Sequence, residues 1–96
     1  MTPKTVTSGV QYLQPPQPAY PAQSKHLGEE GRVVLRVLVN ESGQAERVEI
    51  QQSSGYARLD QAAREAVQAA RFQPHLEDGR PVRVFAIVPI SFRLDQ

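Results

Sequence analysis

The sequence predicts an α+β domain: a three-stranded antiparallel sheet with the strand order 2-1-3, one long helix packed on one face, and a short N-terminal helix. Two observations support this fold class. Three stretches place apolar side chains at every second position, which is the period of a half-buried strand. Between the second and third stretches, apolar residues recur at spacings of three and four, the period of an amphipathic helix.

Residues 1–19 are predicted to be the flexible end of a proline-rich linker, and residues 20–96 to form the domain. Residues 14–18 read Gln-Pro-Pro-Gln-Pro. Proline lacks a backbone donor and fixes its own φ, so this run favours an extended conformation over a helix.

A short helix is predicted from Ala22 to Leu27 at the entrance to the domain. Pro21 is suited to the first position of a helix, and Gly28 is suited to the end of one. Tyr20 is expected to bury its ring there, because an aromatic residue beside a proline at a domain entrance contributes a large apolar area.

A β-hairpin is predicted next. Its strands are Arg32–Asn40 and Ala45–Gln51, and both alternate in hydrophobicity. Residues 40–43 read Asn-Glu-Ser-Gly, a run of turn formers in which Gly43 can adopt a positive φ.

The long helix follows a break at Ser53-Ser54-Gly55, whose hydroxyl groups are suited to capping its start. Its apolar face is mostly alanine, which allows a close approach of the helix to the sheet. Phe72 and Pro74 end the helix. The apolar positions are Leu59, Ala62, Ala63, Ala66, Val67 and Ala70.

The third strand is predicted from Val82 to Leu94. The helical crossover returns the chain parallel to the second strand, so the third strand can pair antiparallel with the first strand on its far side. Pro89 supplies no ladder donor, which favours a sheet edge or a bulge. The third strand is therefore expected to be an edge; pairing with the second strand is the alternative.

Composition excludes several classes of function. The 96 residues are 40% hydrophobic with a net charge of +1, which gives no electrostatic basis for binding nucleic acid or an anionic membrane. The absence of cysteine excludes disulfides and thiolate metal sites, and leaves the compartment open. No apolar run approaches the roughly 18 residues that span a bilayer, and the start has no signal-peptide pattern.

The sequence contains no catalytic constellation, so an enzyme, a cofactor and a metal site are not expected. His26 and His75 have no further ligand at metal-binding spacing. The run Ser53-Ser54-Gly55 lacks the glycine context of a nucleophile elbow. Asp60 and Arg64 are expected to form a weak exposed pair on the helix.

The order and spacing of several short motifs resemble one known family. From about Pro15 to Leu94, the chain resembles the C-terminal domain of TonB-type energy-transducing proteins. No single motif is specific, but together they cover nearly the whole chain. The motifs are Gln17-Pro18-Ala19-Tyr20-Pro21, Gly31-Arg32-Val33, Gly43, Ser53-Ser54-Gly55, Leu59-Asp60, Arg71-Phe72-Gln73-Pro74 and Val88-Pro89-Ile90-Ser91-Phe92.

This resemblance implies a periplasmic domain, anchored to the inner membrane through an N-terminal helix absent from this chain and driven by a proton-motive motor complex. Its partner would be the TonB box, an extended segment of TonB-dependent outer-membrane receptors. The domain would bind that segment by strand addition and transmit force for import of a siderophore, as in iron uptake, or of haem or similar cargo. The alternative is a TolA-like or other periplasmic interaction or scaffold domain.

The predicted contact ladder is the backbone from Arg83 to Ile90, because added strands bind mainly through main-chain hydrogen bonds of about 1 kcal/mol each. Phe85 and Ile87 would give outward apolar contacts, unless the N-terminal helix or a second copy covers them. Arg83 would meet an acidic partner residue, or remain a solvated charge. The family resemblance implies that the end of the linker, from Gln17 to Tyr20, lies beside the bound segment and is part of the site. The predicted partner-binding residues are Gln17, Tyr20, Arg83, Val84, Phe85, Ala86, Ile87, Val88 and Ile90.

An exposed strand edge also allows two copies of the chain to pair with each other. A homodimer through the third strand is therefore a further expectation from the sequence.

Overall fold

The computed structural model describes residues 4–6 and 10–94; the parts of the predicted linker at 1–3 and 7–9 lie outside the described residues. Two helices are present in this part of the chain, α1 (Ala22–Leu27) and α2 (Ala57–Ala69). The strands are β1 (Lys4–Val6), β2 (Tyr12–Gln14), β3 (Gly31–Val39), β4 (Ala45–Gln52), β5 (Arg71–Phe72), β6 (His75–Glu77), β7 (Arg80–Val82) and β8 (Val84–Phe92).

The main sheet is mixed and has four strands in the order β1-β8-β3-β4. β3 lies between β4 and β8 and is antiparallel to both. The predicted three-stranded antiparallel sheet is wrong in strand count and in its complete order, because β1 adds parallel to β8 as a fourth strand. Within the sheet, β4, β3 and β8 have the predicted 2-1-3 arrangement. An edge strand presents unpaired main-chain groups, and a short extended segment of the same chain satisfies part of them.

The predicted third strand is divided into two. β7 pairs antiparallel with β6, with Val82 opposite His75, in a separate two-stranded sheet. The turn between them holds Asp78 at φ 53° and Gly79 at φ 77°, and two successive positive φ values are typical of a type I′ hairpin turn. Only β8 enters the main sheet.

The N-terminal segment is more ordered than an unstructured linker, and that expectation is wrong for β1 and β2. β2 pairs antiparallel with β5, and the rings of Tyr12 and Phe72 lie 5.2 Å apart at an angle of 46°. The N–H of Gln73 donates to the carbonyl oxygen of Gln11 at 2.9 Å. Aromatic packing and main-chain bonds thus offset the entropy cost of ordering this stretch.

The core lies between α2 and one face of the main sheet. Leu59, Ala63 and Val67 of α2 are fully buried, as their spacing predicts. Every second residue of β8 from Val84 to Phe92 is also buried. The cluster that α2 joins contains Val33, Leu35, Val37, Val39, Phe72, Val84, Ala86, Val88, Ile90 and Phe92.

The start of α2 is stabilised differently from the predicted hydroxyl cap. Tyr56 is the N-cap and makes no side-chain cap bond. Instead, the carboxylate of Asp60 accepts hydrogen bonds from the backbone N–H of Ser54 at 2.9 Å and from the hydroxyl of Ser53. The predicted ion pair with Arg64 is not formed within the described residues, because that guanidinium donates to the carbonyl oxygen of Val48 at 3.0 Å.

The β3–β4 turn is the predicted one. The side-chain oxygen of Asn40 accepts from the N–H groups of Ser42 and Gln44 at 2.9 and 3.0 Å, and Gly43 has φ 81°. The carbonyl of Gly43 also accepts from the N–H of Phe72 at 2.8 Å. The turn is thus joined to the strand that follows α2.

α1 is attached to α2 by a buried polar cluster. The hydroxyl of Ser24, which is fully buried, donates to the carboxylate of Glu29 at 2.7 Å. The other carboxylate oxygen lies 3.2 Å from the guanidinium of Arg58 on α2. Each buried polar group in this cluster therefore has a partner.

Candidate functional site

β8 uses one edge for the fold and has a second edge that is only partly covered. On its inner edge, it pairs with β3 along its whole length, from Val84 opposite Val39 to Phe92 opposite Gly31. On its outer edge, the pairing with β1 extends only from Val84 to Ala86. Among the described residues, no strand pairs with the outer edge from residue 87 onward.

The position of Pro89 indicates which residues present main-chain groups to the outer edge. N–H and C=O groups of alternate residues point to opposite edges of a strand. Proline is tolerated where its missing N–H would face away from the neighbouring strand. Phe85, Ile87 and Ser91 each lie an even number of residues from Pro89. Their N–H and C=O groups therefore point to the same edge as the position of the missing N–H of Pro89, which is the outer edge. An added strand would therefore find donors at Phe85 and Ile87 and none at Pro89.

The outer edge already accepts an extended segment of this chain. β1 runs parallel to β8 with Lys4 opposite Val84, Thr5 opposite Phe85, and Val6 opposite Ala86. The sequence pattern does not predict this strand, because three residues are too short to show a period. The available signal was that Thr5 and Val6 are β-branched, a weak strand preference.

A cavity of about 270 Å³ lies beside β1. Val6 lies at its rim and packs against the hydrophobic core. The walls are mixed, with apolar Val39, Phe72 and Ala86 and polar Gln73 and His75. β1 thus covers apolar surface as well as the main-chain groups of β8.

The charged end of β1 is paired with the β6–β7 hairpin. The ammonium of Lys4 forms an ion pair with Glu77, and both side chains are largely exposed. The hydrogen bond from Lys4 and then its charge lower the pKa of the Glu77 carboxyl, with a smaller contribution from His75. An exposed pair of this kind adds little to stability but reports whether Lys4 is in place.

The outward face of β8 is half-buried in its N-terminal half and exposed at Pro89 and Ser91. The guanidinium of Arg36 on β3 lies 3.7 Å from the centre of the Phe85 ring, a cation–π contact, and 3.2 Å from Glu49. Ile87 is likewise half-buried. The Phe85 ring therefore has a side chain of the same sheet as its neighbour, and its cover by a second copy stays a prediction.

Arg83 precedes β8 and lies 3.1 Å from the carboxylate of Glu46 on β4. Both side chains are substantially exposed, with relative exposures of 45% and 43%. Arg83 thus has an acidic neighbour within the chain, and its contact with a partner stays a prediction.

The two predicted linker residues lie in different places. Tyr20 packs edge-on against Phe92, with ring centres 5.3 Å apart, and its hydroxyl donates to the carbonyl of Glu29. It therefore lies at the C-terminal end of β8. Gln17 is exposed and lines a groove along α2 beside Ala66. Val84, Ala86, Val88 and Ile90 have buried side chains, and by the alternation with Pro89 their main-chain N–H and C=O groups point to β3 and not to the outer edge.

Within residues 4–6 and 10–94, no group of His, Asp and Glu side chains is arranged to hold a metal ion. No helix in the same ranges is long and apolar enough to span a membrane.

A family described as "Gram-negative bacterial TonB protein C-terminal" matches residues 16–94. The chain belongs to this family. β1 and β2 precede the matched range, so the segment on the outer edge of β8 lies outside the part that the family model covers.

Relatives of this family agree with the assignment. The chain is 53% identical over 58 residues to "Protein TonB" of Neisseria gonorrhoeae, covering 60% of this chain and 20% of that protein. It is 42% identical over 84 residues to "Protein tonB2" of Pseudomonas aeruginosa, covering 88% and 31%. The chain therefore spans about a fifth to a third of these relatives.

Solved structures share the fold. The solution NMR structure of the Pseudomonas aeruginosa TonB C-terminal domain has a TM-score of 0.77 at 23% identity and covers 95% of each chain. The tonB2 protein of Vibrio anguillarum has a TM-score of 0.67 at 22% identity, covering 93% of this chain and 88% of that one. The α+β architecture of a mixed sheet with a long helix is thus that of TonB C-terminal domains.

Proposed function

We propose that this domain binds the TonB box of an outer-membrane receptor as an added strand on the outer edge of β8. In this proposal, the domain works in the periplasm as part of a TonB-type energy transducer. It transmits force to the receptor for import of a siderophore, haem or similar cargo.

The observation that supports this proposal is the pairing of β1 with β8. An edge that holds one extended segment has the geometry, the free main-chain groups and the adjoining apolar surface that strand addition requires. Beyond Ala86, the same edge continues through Ile87, where no described strand covers it.

The expected strength of such binding suits a reversible contact. Net main-chain hydrogen bonds contribute about 1 kcal/mol each, and ordering a flexible peptide opposes them. Pro89 interrupts the outward donors, which limits the strongest pairing to the N-terminal half of β8. An added strand with few bonds can therefore engage and release within a transport cycle.

The proposal also includes an inner-membrane anchor and contacts with a motor complex, which correspond to parts of the relatives that this chain does not match. In this proposal, the anchor and the contacts with a proton-motive motor complex would lie in those unmatched parts. This assignment rests on family membership and on the greater length of the relatives.

The test is a titration of the ¹⁵N-labelled chain with a synthetic TonB-box peptide, followed by amide chemical shifts. We expect the largest shifts at Phe85 and Ile87, with an apparent Kd near or below about 1 mM. The variant Ile87→Pro removes one outward donor and should weaken binding roughly five-fold or more. Its matched control, Ile87→Ala, loses side-chain contacts but keeps the N–H.

Absence of any shift along residues 83–90 at millimolar peptide would exclude strand addition at this edge. Equal peptide affinity in folded Ile87→Pro and Ile87→Ala would show that the outward donor at residue 87 is not used.

A further inference from the structure

We propose that β1 is an internal competitor for the outer edge of β8, so that a partner strand binds only after residues 4–6 have left it. This inference rests on the proposed function. It adds that the binding edge is occupied by the chain's own N-terminal segment in the resting state.

The competition follows from the pairing register. β1 uses the outer edge from Val84 to Ala86, and these residues lie within the predicted ladder from Arg83 to Ile90. The main-chain groups of Phe85 face outward and lie opposite Thr5. A main-chain group that is bonded to one strand is not available to a second, so β1 and a partner exclude each other there.

The contacts of β1 are few enough for displacement. β1 spans three residues, of which Lys4 and Thr5 are exposed. Only Val6 packs against the core, at the rim of the cavity. Local opening of such a segment requires far less free energy than unfolding of the domain. A partner strand with more main-chain bonds than β1 can therefore replace it.

The cavity also indicates what the replacing strand needs. When Val6 leaves, apolar surface on Val39, Phe72 and Ala86 becomes exposed to water. A partner that runs in the direction of β1 and carries a branched apolar residue opposite Ala86 would cover that surface again. A polar residue at that position would leave it exposed, at a cost proportional to its area.

Glu77 provides a reporter for the position of β1. Lys4 lowers the pKa of the Glu77 carboxyl through a hydrogen bond and through its charge. Release of β1 removes both effects, so the pKa should rise towards its ordinary value. His75 contributes to the lowered pKa and stays on the same hairpin, so its contribution persists.

The experiment compares two variants of the full chain that change the charge equally on the same strand. Val6→Asp places a carboxylate where Val6 packs against the hydrophobic core, and should release β1. Thr5→Asp places it opposite Phe85, on the other face of the strand, and should leave β1 paired. The probe is the synthetic TonB-box peptide, in a version without lysine or arginine.

We expect Val6→Asp to bind the peptide roughly ten-fold more tightly than the wild type, because the competent state no longer has to form by opening. Thr5→Asp should bind like the wild type. The pKa of Glu77 should be raised in Val6→Asp without peptide, and in the wild type only when peptide is bound. Unchanged amide shifts in α2 show that the variant is folded.

Lys4→Glu serves as a second variant, since it places like charges together at Glu77 and leaves the core intact. Equal peptide affinity in the wild type, Val6→Asp and Lys4→Glu, with amide shifts along β8 in all three, would overturn the competition and leave the proposed function standing. Absence of peptide binding in all three would overturn the proposed function and the competition together.

Discussion

Gly43 meets two separate requirements in the turn between β3 and β4. Its φ of 81° lies in the left-handed region that favours glycine. A Cβ at this position would also lie 2.1 Å from the carbonyl oxygen of Phe72. The turn former that the sequence indicates is thus also a point of close contact with the chain after α2, which no local pattern predicts.

Gly43→Ala is therefore expected to destabilise the domain by about 3 kcal/mol or more, because backbone strain and a steric clash combine. Gly79→Ala is the matched control, since Gly79 has φ 77° with no atom within 4 Å of the added Cβ. It should cost about 1 kcal/mol, the backbone strain alone. Urea unfolding with a common m-value measures both. Equal losses would contradict the close contact with Phe72.

At the scale of elements, the start of α2 depends on an ionised carboxylate. Partial burial raises the pKa of Asp60, but hydrogen bonds from Ser53 and Ser54, together with the charge of Arg64, outweigh that effect and lower it. A lowered pKa in the folded state means that the carboxylate contributes stability above the pKa of the unfolded chain. That contribution is lost as pH falls through the folded-state pKa.

Asp60→Asn should therefore remove part of the acid sensitivity of unfolding below about pH 4. Urea unfolding at pH values from about 6 to about 2 measures the slope of stability against pH. Ser53→Ala keeps the carboxylate but removes one donor, so its slope should lie between those of the wild type and Asp60→Asn. If Asp60→Asn has the wild-type slope, the carboxylate does not contribute in the folded state.

Elements differed in how far the sequence predicted them. β3, β4 and α2 are long enough to show their periods. β3 and α2 bury the predicted faces, whereas Val48 and Ile50 of β4 are only half-buried. β1, β2, β5, β6 and β7 have three residues or fewer, and such short strands depend on partners that are distant in sequence. Alternation alone joins Val82 to the last strand, but the positive φ values at Asp78 and Gly79 direct it into a hairpin.

For the molecule as a whole, the sequence predicted the strand that forms the candidate site but not its occupant. The connection rules placed β8 beside β3 with its other edge outward. The same rules do not predict that β1, which lies far from β8 in sequence, pairs with its outer edge. Tyr20 and Gln17 show the same limit, because the packing of Tyr20 against Phe92 and the position of the exposed Gln17 beside α2 depend on how the chain wraps around the domain.

The parallel pairing of β1 with β8 has a mechanical consequence. These are the first and last strands described, and a pull on the two ends of the chain acts on them in opposite directions along their length. The load is then a shear shared by all bonds of the pair, whereas peeling would break them one at a time. In single-molecule stretching between residues 1 and 96, the first rupture should need a lower force in Val6→Asp than in Thr5→Asp. Equal forces in the two variants would show that β1 carries no load. In the wild-type chain, tension on the N-terminal side would then be the event that shears β1 away and exposes the edge of β8.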